Sequence, residues 1–261
     1  MKIRAPSVAG SFYPADANEL AATVVGLLDS VPSIVLQPQA IKALIVPHAG
    51  YIYSGFVAAT SYSCLRQVAE GITRVVLLGP SHWEPLSGIA LADCDVFQTP
   101  IGNIPLDNIL QKELLNFDGV VVNNEAHFSE HSLEVQLPFL QEVLKDFILV
   151  PLVVGQCSSQ LVATVLESLW REDTLIIVSS DLSHYHSYAI AQQLDLETSQ
   201  QIERFESNIQ GQQACGCYAL NGLCQLAKQK SLAIKRLALA NSADSAGDKE
   251  RVVGYGSYVL Q

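Results

Sequence analysis

Four short stretches of the chain are apolar almost without interruption: IKALIVP at 41–47, TRVVLLGP at 73–80, FILVPLVVG at 147–155 and TLIIVSS at 174–180. A strand with one face in water alternates apolar and polar side chains, so unbroken runs of this length predict strands buried on both faces. Between them apolar residues recur at helical spacing over 56–68, 132–144 and 160–170. Two later helices are predicted over 188–205 and after Gly216, where Leu220, Leu223 and Leu226 share a face. A first helix is predicted over 18–28, joined to the first core strand by the proline-containing segment VPSIVLQPQA at 31–40. The aromatic and β-branched GYGSYVL near the C-terminus reads as a last strand, placed at a sheet edge. Strand and helix alternating in this way imply an α/β fold with a mostly parallel, mixed central sheet and helices on both faces.

The composition narrows the function classes. A chain of 261 residues, 49% apolar, is long enough to build one large core, so a single domain over 1–261 is expected. Acidic residues outnumber basic ones 26 to 15, and a net charge of −11 repels phosphate backbones and anionic lipid surfaces. Neither nucleic acid nor membrane is an expected partner. No apolar run reaches the roughly 20 residues of a membrane span, and the N-terminal residues lack a signal-peptide pattern, which points to the cytoplasm. Six cysteines in a chain of this length do not make a disulfide framework, and no paired CxxC motifs mark a structural zinc site. Neither GxGxxG nor GxxxxGK[ST] is present, which removes the common nucleotide-binding readings of an α/β fold.

The histidines carry the chemistry. His48 follows ALIVP, His82 follows VVLLGPS and His184 follows LIIVSSDLS, so each lies just past the C-terminal end of a predicted parallel strand. Ligands of open α/β sheets bind there, in the crevice formed by the loops leaving the strand ends. Imidazoles gathered in one crevice serve metal ligation or proton transfer. Asp181, three residues before His184, is placed to coordinate a metal or to orient an imidazole. Imidazole with carboxylate suits iron(II), zinc or copper better than magnesium or calcium. His127 and His131, four apart, have the spacing to share a helical face with Glu134, without forming HExxH, and His186 is expected to face solvent. Ser81 beside His82 and Ser180 beside Asp181 leave a serine hydrolase as a weaker alternative, since no GxSxG elbow is present. Of the CxC pair Cys215 and Cys217, one thiol has the spacing to enter a site while the other packs in the core.

AGSFYP at 9–14, PHAGYIYSG at 47–55, GPSHW at 79–83, EHSLEVQLPFL at 130–140, SSDLSHY at 179–185, ACG at 214–216 and VVGYGSY at 252–258 follow one another along the chain. In that order they resemble the Memo family, including the bacterial members called AmmeMemoRadiSam system protein B. The resemblance implies a three-layer α/β/α fold shared with class III extradiol dioxygenases, which open catechol rings at a non-haem iron(II). By that likeness His48 and His82 match the two metal-ligand histidines, and His184 matches the histidine placed as acid or base. Asp181 and Cys215 match pocket residues of the Memo branch, and Glu130, His131 and Glu134 fall in a family motif as candidate pocket or supporting residues. Acidic groups at a helix N-terminus are an equally good account of the two glutamates, since they interact favourably with its dipole by about 0.3–1 kcal/mol. No equivalent is found for the glutamate that completes the dioxygenase facial triad, so catechol ring cleavage is not expected. We read Cys215 as its replacement: ACG precedes a helix, whose N-terminus favours a thiolate.

Two functions follow from different classes. One is a redox-active metal protein, with iron(II) the expected ion and zinc or copper as alternatives, acting with oxygen on a small molecule. The other is a binding or scaffold protein that keeps the dioxygenase fold without its catalysis. The family name also implies AMMECR-type and radical SAM proteins as companions.

Overall fold

The computed structural model describes residues 1–32, 34, 41–144 and 146–261, so most of the expected linker at 31–40 lies outside the described residues. The chain opens with β1 (Ile3–Arg4), α1 (Ala17–Ser30), β2 (Ala43–Val46), α2 (Tyr51–Leu65) and β3 (Arg74–Pro80). A run of short elements follows: β4 (Ile89–Leu91), β5 (Val96–Thr99), β6 (Gly102–Pro105), α3 (Asn108–Leu114), β7 (Val120–Val122) and α4 (Glu125–Phe128). The second half holds α5 (Leu137–Val143), β8 (Ile148–Val154), α6 (Ser159–Ser168), β9 (Thr174–Ser179), β10 (His184–His186), α7 (Tyr188–Glu203), α8 (Cys217–Gln229), β11 (Ile234–Asn241) and β12 (Val252–Leu260).

The four apolar runs become β2, β9, β3 and β8, adjacent and mutually parallel in that order. Successive side chains on each point to opposite faces, and both faces are apolar. Leu44, Val46, Val75, Leu77, Leu175 and Ile177 enter one core with residues of α1, α2 and α5. Ala43, Ile45, Val76, Leu78, Ile176 and Val178 enter a second core with residues of α6 and α8. That division produces the three layers, helices on either side of one sheet, and explains why these strands lack polar alternation. Antiparallel strands flank the parallel centre, with β4 on β8 and β12 on β2. A small separate sheet joins β1, β5 and β6. Among the described residues no helix is long and apolar enough to cross a membrane.

Three expectations are corrected. GYGSYVL is no edge strand: β12 pairs with β2 on one side and with β11 on the other. The mixed pattern IKRLALAN hid β11, which is mostly half-buried and takes the outer position. Helix α2 spans Tyr51–Leu65 in place of the expected 56–68, and the turn added at its start buries Ser54 and Gly55, small or polar residues that apolar spacing does not register. A Cβ on Gly55 would lie 2.9 Å from Leu27 Cδ1, so glycine there lets α1 and α2 approach. The helix expected over 132–144 is broken into a 3₁₀ turn at Glu134–Gln136 and α5, with Pro138 in the first turn of α5.

Candidate metal centre

Parallel register brings three strand ends level. Val46 of β2 pairs with Ser179 of β9, and Leu78 of β3 pairs with Val178, so the loops carrying His48, His82 and Asp181 leave the sheet side by side. Gly216 brings in a fourth segment. A Cβ there would meet Ser180 Cβ at 2.7 Å and the Ser179 carbonyl at 2.9 Å, so only glycine lets this turn lie against the end of β9. The Gly216 amide donates to Ser180 Oγ at 2.9 Å and the Cys215 amide to the Asp181 carbonyl at 3.2 Å. Cys215 Sγ therefore rests 3.3 Å from His48 Nε2.

One donor atom each from His48, His82 and Cys215 lie within 4.8 Å of one another. A second grouping, His82 with Glu130 and His131, meets the same limit. The His48 and His82 rings are 5.2 Å apart at their centroids. His131 stacks on His82 at 4.7 Å and stands 5.5 Å from His48, which makes it a full member of the cluster. Phe12 packs against His131 at 4.8 Å and lines the same crevice, so the N-terminal segment walls the site. His48, His82, His131, Asp181 and His184 line one crevice of about 620 Å³.

Hydrogen bonds fix which nitrogen of each ring is free. Ser179 Oγ lies 2.6 Å from the Ser132 carbonyl, 2.8 Å from Gln136 Nε2 and 2.9 Å from His48 Nδ1. A hydroxyl has one proton, and a carbonyl only accepts, so Ser179 donates to Ser132 and accepts from the other two. The Gln136 amide is oriented in turn, because its Oε1 accepts from Tyr62 and its Nε2 donates to the Pro47 carbonyl. His48 consequently carries its proton on Nδ1 and directs the Nε2 lone pair at Cys215. His82 is arranged alike: its Nδ1 donates to Glu130 Oε1 at 2.9 Å, and its backbone amide donates to Oε2 at 2.7 Å. Ser132 N also donates to Glu130 Oε1, so this carboxylate accepts three N–H groups and supports His82 from behind. Replacing Ser179 by alanine should release the His48 tautomer, read as a change in its imidazole ¹⁵N shifts, and Ser179→Thr should preserve it. An Nδ1-protonated His48 that persists in Ser179→Ala would refute this chain of bonds.

Burial sets the charges. It pushes the His48 pKa down to about 3, with the neighbouring His82 adding to the effect, so this imidazole is neutral at physiological pH. Burial and then His48 lower His131 to about 4. For Glu130 burial acts upward, but the bonds from His82 outweigh it and leave the pKa at about 2. Burial raises Asp181, against the His48 amide that donates to its Oδ1 at 2.8 Å. Burial and the adjacent Asp181 carboxylate hold the Cys215 thiol well above its usual range, so without a metal it is a thiol and not the thiolate that its place before α8 suggests.

The remaining candidates separate. His184 donates from Nδ1 to the Leu182 carbonyl at 2.8 Å, which leaves Nε2 as an acceptor in the crevice. Glu134 accepts from Ser7, Val8 and Tyr13 and pairs with Arg4, so it fastens the N-terminal segment. His127, in α4, bonds the Ala90 carbonyl and does not share a helical face with His131. His186 is half-buried in β10 opposite Val252, not fully in solvent. Ser81 Oγ donates to the Glu84 carbonyl and Ser180 Oγ to the Asp181 carbonyl, so neither is paired with an imidazole base. Cys217 is buried in the second core. Residue-type reasoning missed Gln136 and Ser179, although both lie inside the motifs EHSLEVQLPFL and SSDLSHY.

A profile of the family described as Memo-like protein matches residues 4–259. MEMO1 family proteins of Aquifex aeolicus and Ignicoccus hospitalis are each 35% identical to this chain, over 268 and 281 residues, covering 98% of both partners. Another from Thermoplasma volcanium is 33% identical over 268 residues, again covering 98% of each. The crystal structure of an uncharacterized protein from Escherichia coli K12 superposes with a TM-score of 0.57, covering 84% of this chain and 100% of that one. At 13% identity it shows a common fold alone. A match of this extent, through every segment that builds the crevice, means that the chain belongs to the Memo family.

Proposed function

We propose that the chain is a transition-metal protein in which His48, His82 and Cys215 hold a divalent ion, most naturally iron(II), for redox chemistry on a small organic molecule. The observation that carries this reading is the convergence of one ring nitrogen each from His48 and His82 and the Cys215 sulfur within 4.8 Å, with His48 Nε2 3.3 Å from that sulfur and both rings bonded at Nδ1. Two imidazoles and one sulfur form a donor set for iron, zinc or copper and not for magnesium or calcium. Of the two groupings, the one containing Glu130 is disfavoured, because that carboxylate already accepts from His82 and Ser132. A bound ion would supply Lewis acidity and, for iron or copper, one-electron exchange. The chain itself supplies the proton handling: His184 Nε2 is free to accept a proton, and Asp181, its pKa raised by burial, stands 4.0 Å from His48 Nε2.

Protein prepared anaerobically and supplied with iron(II) should retain about one equivalent of metal after desalting, measured by mass spectrometry against a cysteine-free buffer blank. Oxygen uptake should then be assayed with catechols and thiols. Ring-opened catechol product is expected to be weak or absent, because in this reading a cysteine sulfur and not a carboxylate completes the two histidines. A chain that stays metal-free with iron(II), zinc(II) and copper, and consumes no oxygen, would overturn the proposal in favour of a scaffold role.

A further inference from the structure

The crevice has two chemically different ends. His48 and Asp181 are 1% and 4% exposed and form its floor, whereas Ile52 and Tyr185 are 70% and 64% exposed and form its mouth. Arg251 is at the mouth and is the only lysine or arginine among the described residues that line the crevice. Its guanidinium lies over the Tyr185 ring, 5.0 Å from the centroid. Of the six other arginines, Arg4, Arg66, Arg74, Arg204 and Arg236 each face a carboxylate, and Arg171, remote from the crevice, bonds the Trp170 carbonyl. The Arg251 side chain has no such partner among the described residues, in a chain whose acids outnumber its bases 26 to 15. Asp248, the acid beside it, directs its Oδ1 to the backbone amides of Glu250 and Arg251. Tyr185 holds φ at 63°, a left-handed conformation costly for a bulky residue and found where side chains clamp ligands.

We propose that the crevice takes a small organic oxyanion, a carboxylate or phosphate on an apolar or aromatic body, with Arg251 as the residue that selects for it. The planar guanidinium, steadied by the Tyr185 face, offers two parallel N–H groups to an oxyanion, and Ile52, Tyr53 and Tyr185 offer apolar surface to the body. This deepens the metal-centre reading by naming the substrate class, and rests on it only for what the inner end of the molecule meets.

The test uses ¹⁹F NMR titration of the full chain, metal-stripped and zinc-loaded, with 4-fluorobenzoate, 4-fluorophenyl phosphate and the neutral 4-fluorobenzamide. At least one anion should bind about tenfold or more tighter than the amide, and which one does so separates carboxylate from phosphate as the recognised group. Arg251→Gln should abolish that advantage and leave amide binding unchanged, and its melting temperature should confirm an intact fold. Equal binding of anions and amide, no binding by any probe, or an anion preference that survives Arg251→Gln would each overturn the inference. A failure of zinc to bind, with the Arg251-dependent preference intact in stripped protein, would instead sink the metal reading and leave this one standing.

Discussion

Replacing Cys215 by serine is expected to weaken metal binding by more than about a hundredfold, beyond the roughly 10–100-fold range of changes behind the ligands. Cys217→Ser, in the second core, should change it little. The pH dependence distinguishes a ligand from a neighbour. Without metal the Cys215 thiol is held protonated by burial and by Asp181, whereas His48, at about 3, is already neutral. Metal uptake must therefore expel the thiol proton and no proton from His48. Affinity for zinc should rise by about tenfold per pH unit between pH 6 and 8 in the wild type, since one bound proton is released, and the slope should flatten in Cys215→Ser. Calorimetry in buffers of different ionisation enthalpy measures that proton directly. Undiminished affinity in Cys215→Ser would remove the sulfur from the metal and leave His48 and His82 to be completed by another donor.

The largest effect on stability is expected at Glu134. Its side chain is 0% exposed and that of its partner Arg4 is 7% exposed. Glu134→Leu would leave the Arg4 cation buried without a carboxylate, held by the carbonyls of His127 and Glu130, the Ser7 hydroxyl and the Phe97 ring, at a cost of about 3–5 kcal/mol. A shift of about 2–4 °C per kcal/mol for a chain of this size class puts the melting temperature down by about 10 °C. The double change Arg4→Met with Glu134→Leu should recover part of the loss, since no uncompensated charge remains. Burial acts to raise the Glu134 pKa, but Arg4 and the bonds from Tyr13, Ser7 and Val8 bring it below its ordinary value. Its contribution is thus full above the unfolded carboxylate pKa and is lost as pH falls through the lower folded one. Glu130, at about 2, contributes alike to both proteins, so the lowered Glu134 pKa alone should make acid titration from pH 5 downward destabilise the wild type more steeply than Glu134→Leu. Parallel acid melts of the two proteins would contradict this assignment.

Much of the fold was legible because burial on both faces leaves an unmistakable mark: β2, β3, β8 and β9 fall within the four apolar runs. The gathering of His48, His82 and His184 in one crevice follows from the rule that parallel strands present their C-terminal ends together. What composition hides is polar burial. Gln136, Ser179 and Glu130 are 0–2% exposed, and no periodicity distinguishes a buried glutamine from a surface one. His131 carries no strand-end signal in the sequence. It reaches the cluster from an irregular loop whose path depends on Glu130 accepting the Ser132 amide. Glu134, four residues from Glu130, belongs to different machinery, a division that neighbouring positions in one motif do not reveal.

The place of β12 bears on how the molecule is made. Its residues Tyr258 to Leu260 pair with Ile45 to Ala43, so two strands more than two hundred positions apart lie side by side. A ribosome that has released the whole parallel centre, β9 included, has still not delivered the strand that covers β2. Until it does, the nascent chain carries an open edge of Ala43, Leu44 and Ile45 beside the loop that holds His48. Such an edge invites pairing with another chain. Covering that edge is thus a task of β12 distinct from its share of the finished core. Stalling translation before β12 should trap a species that aggregates through β2.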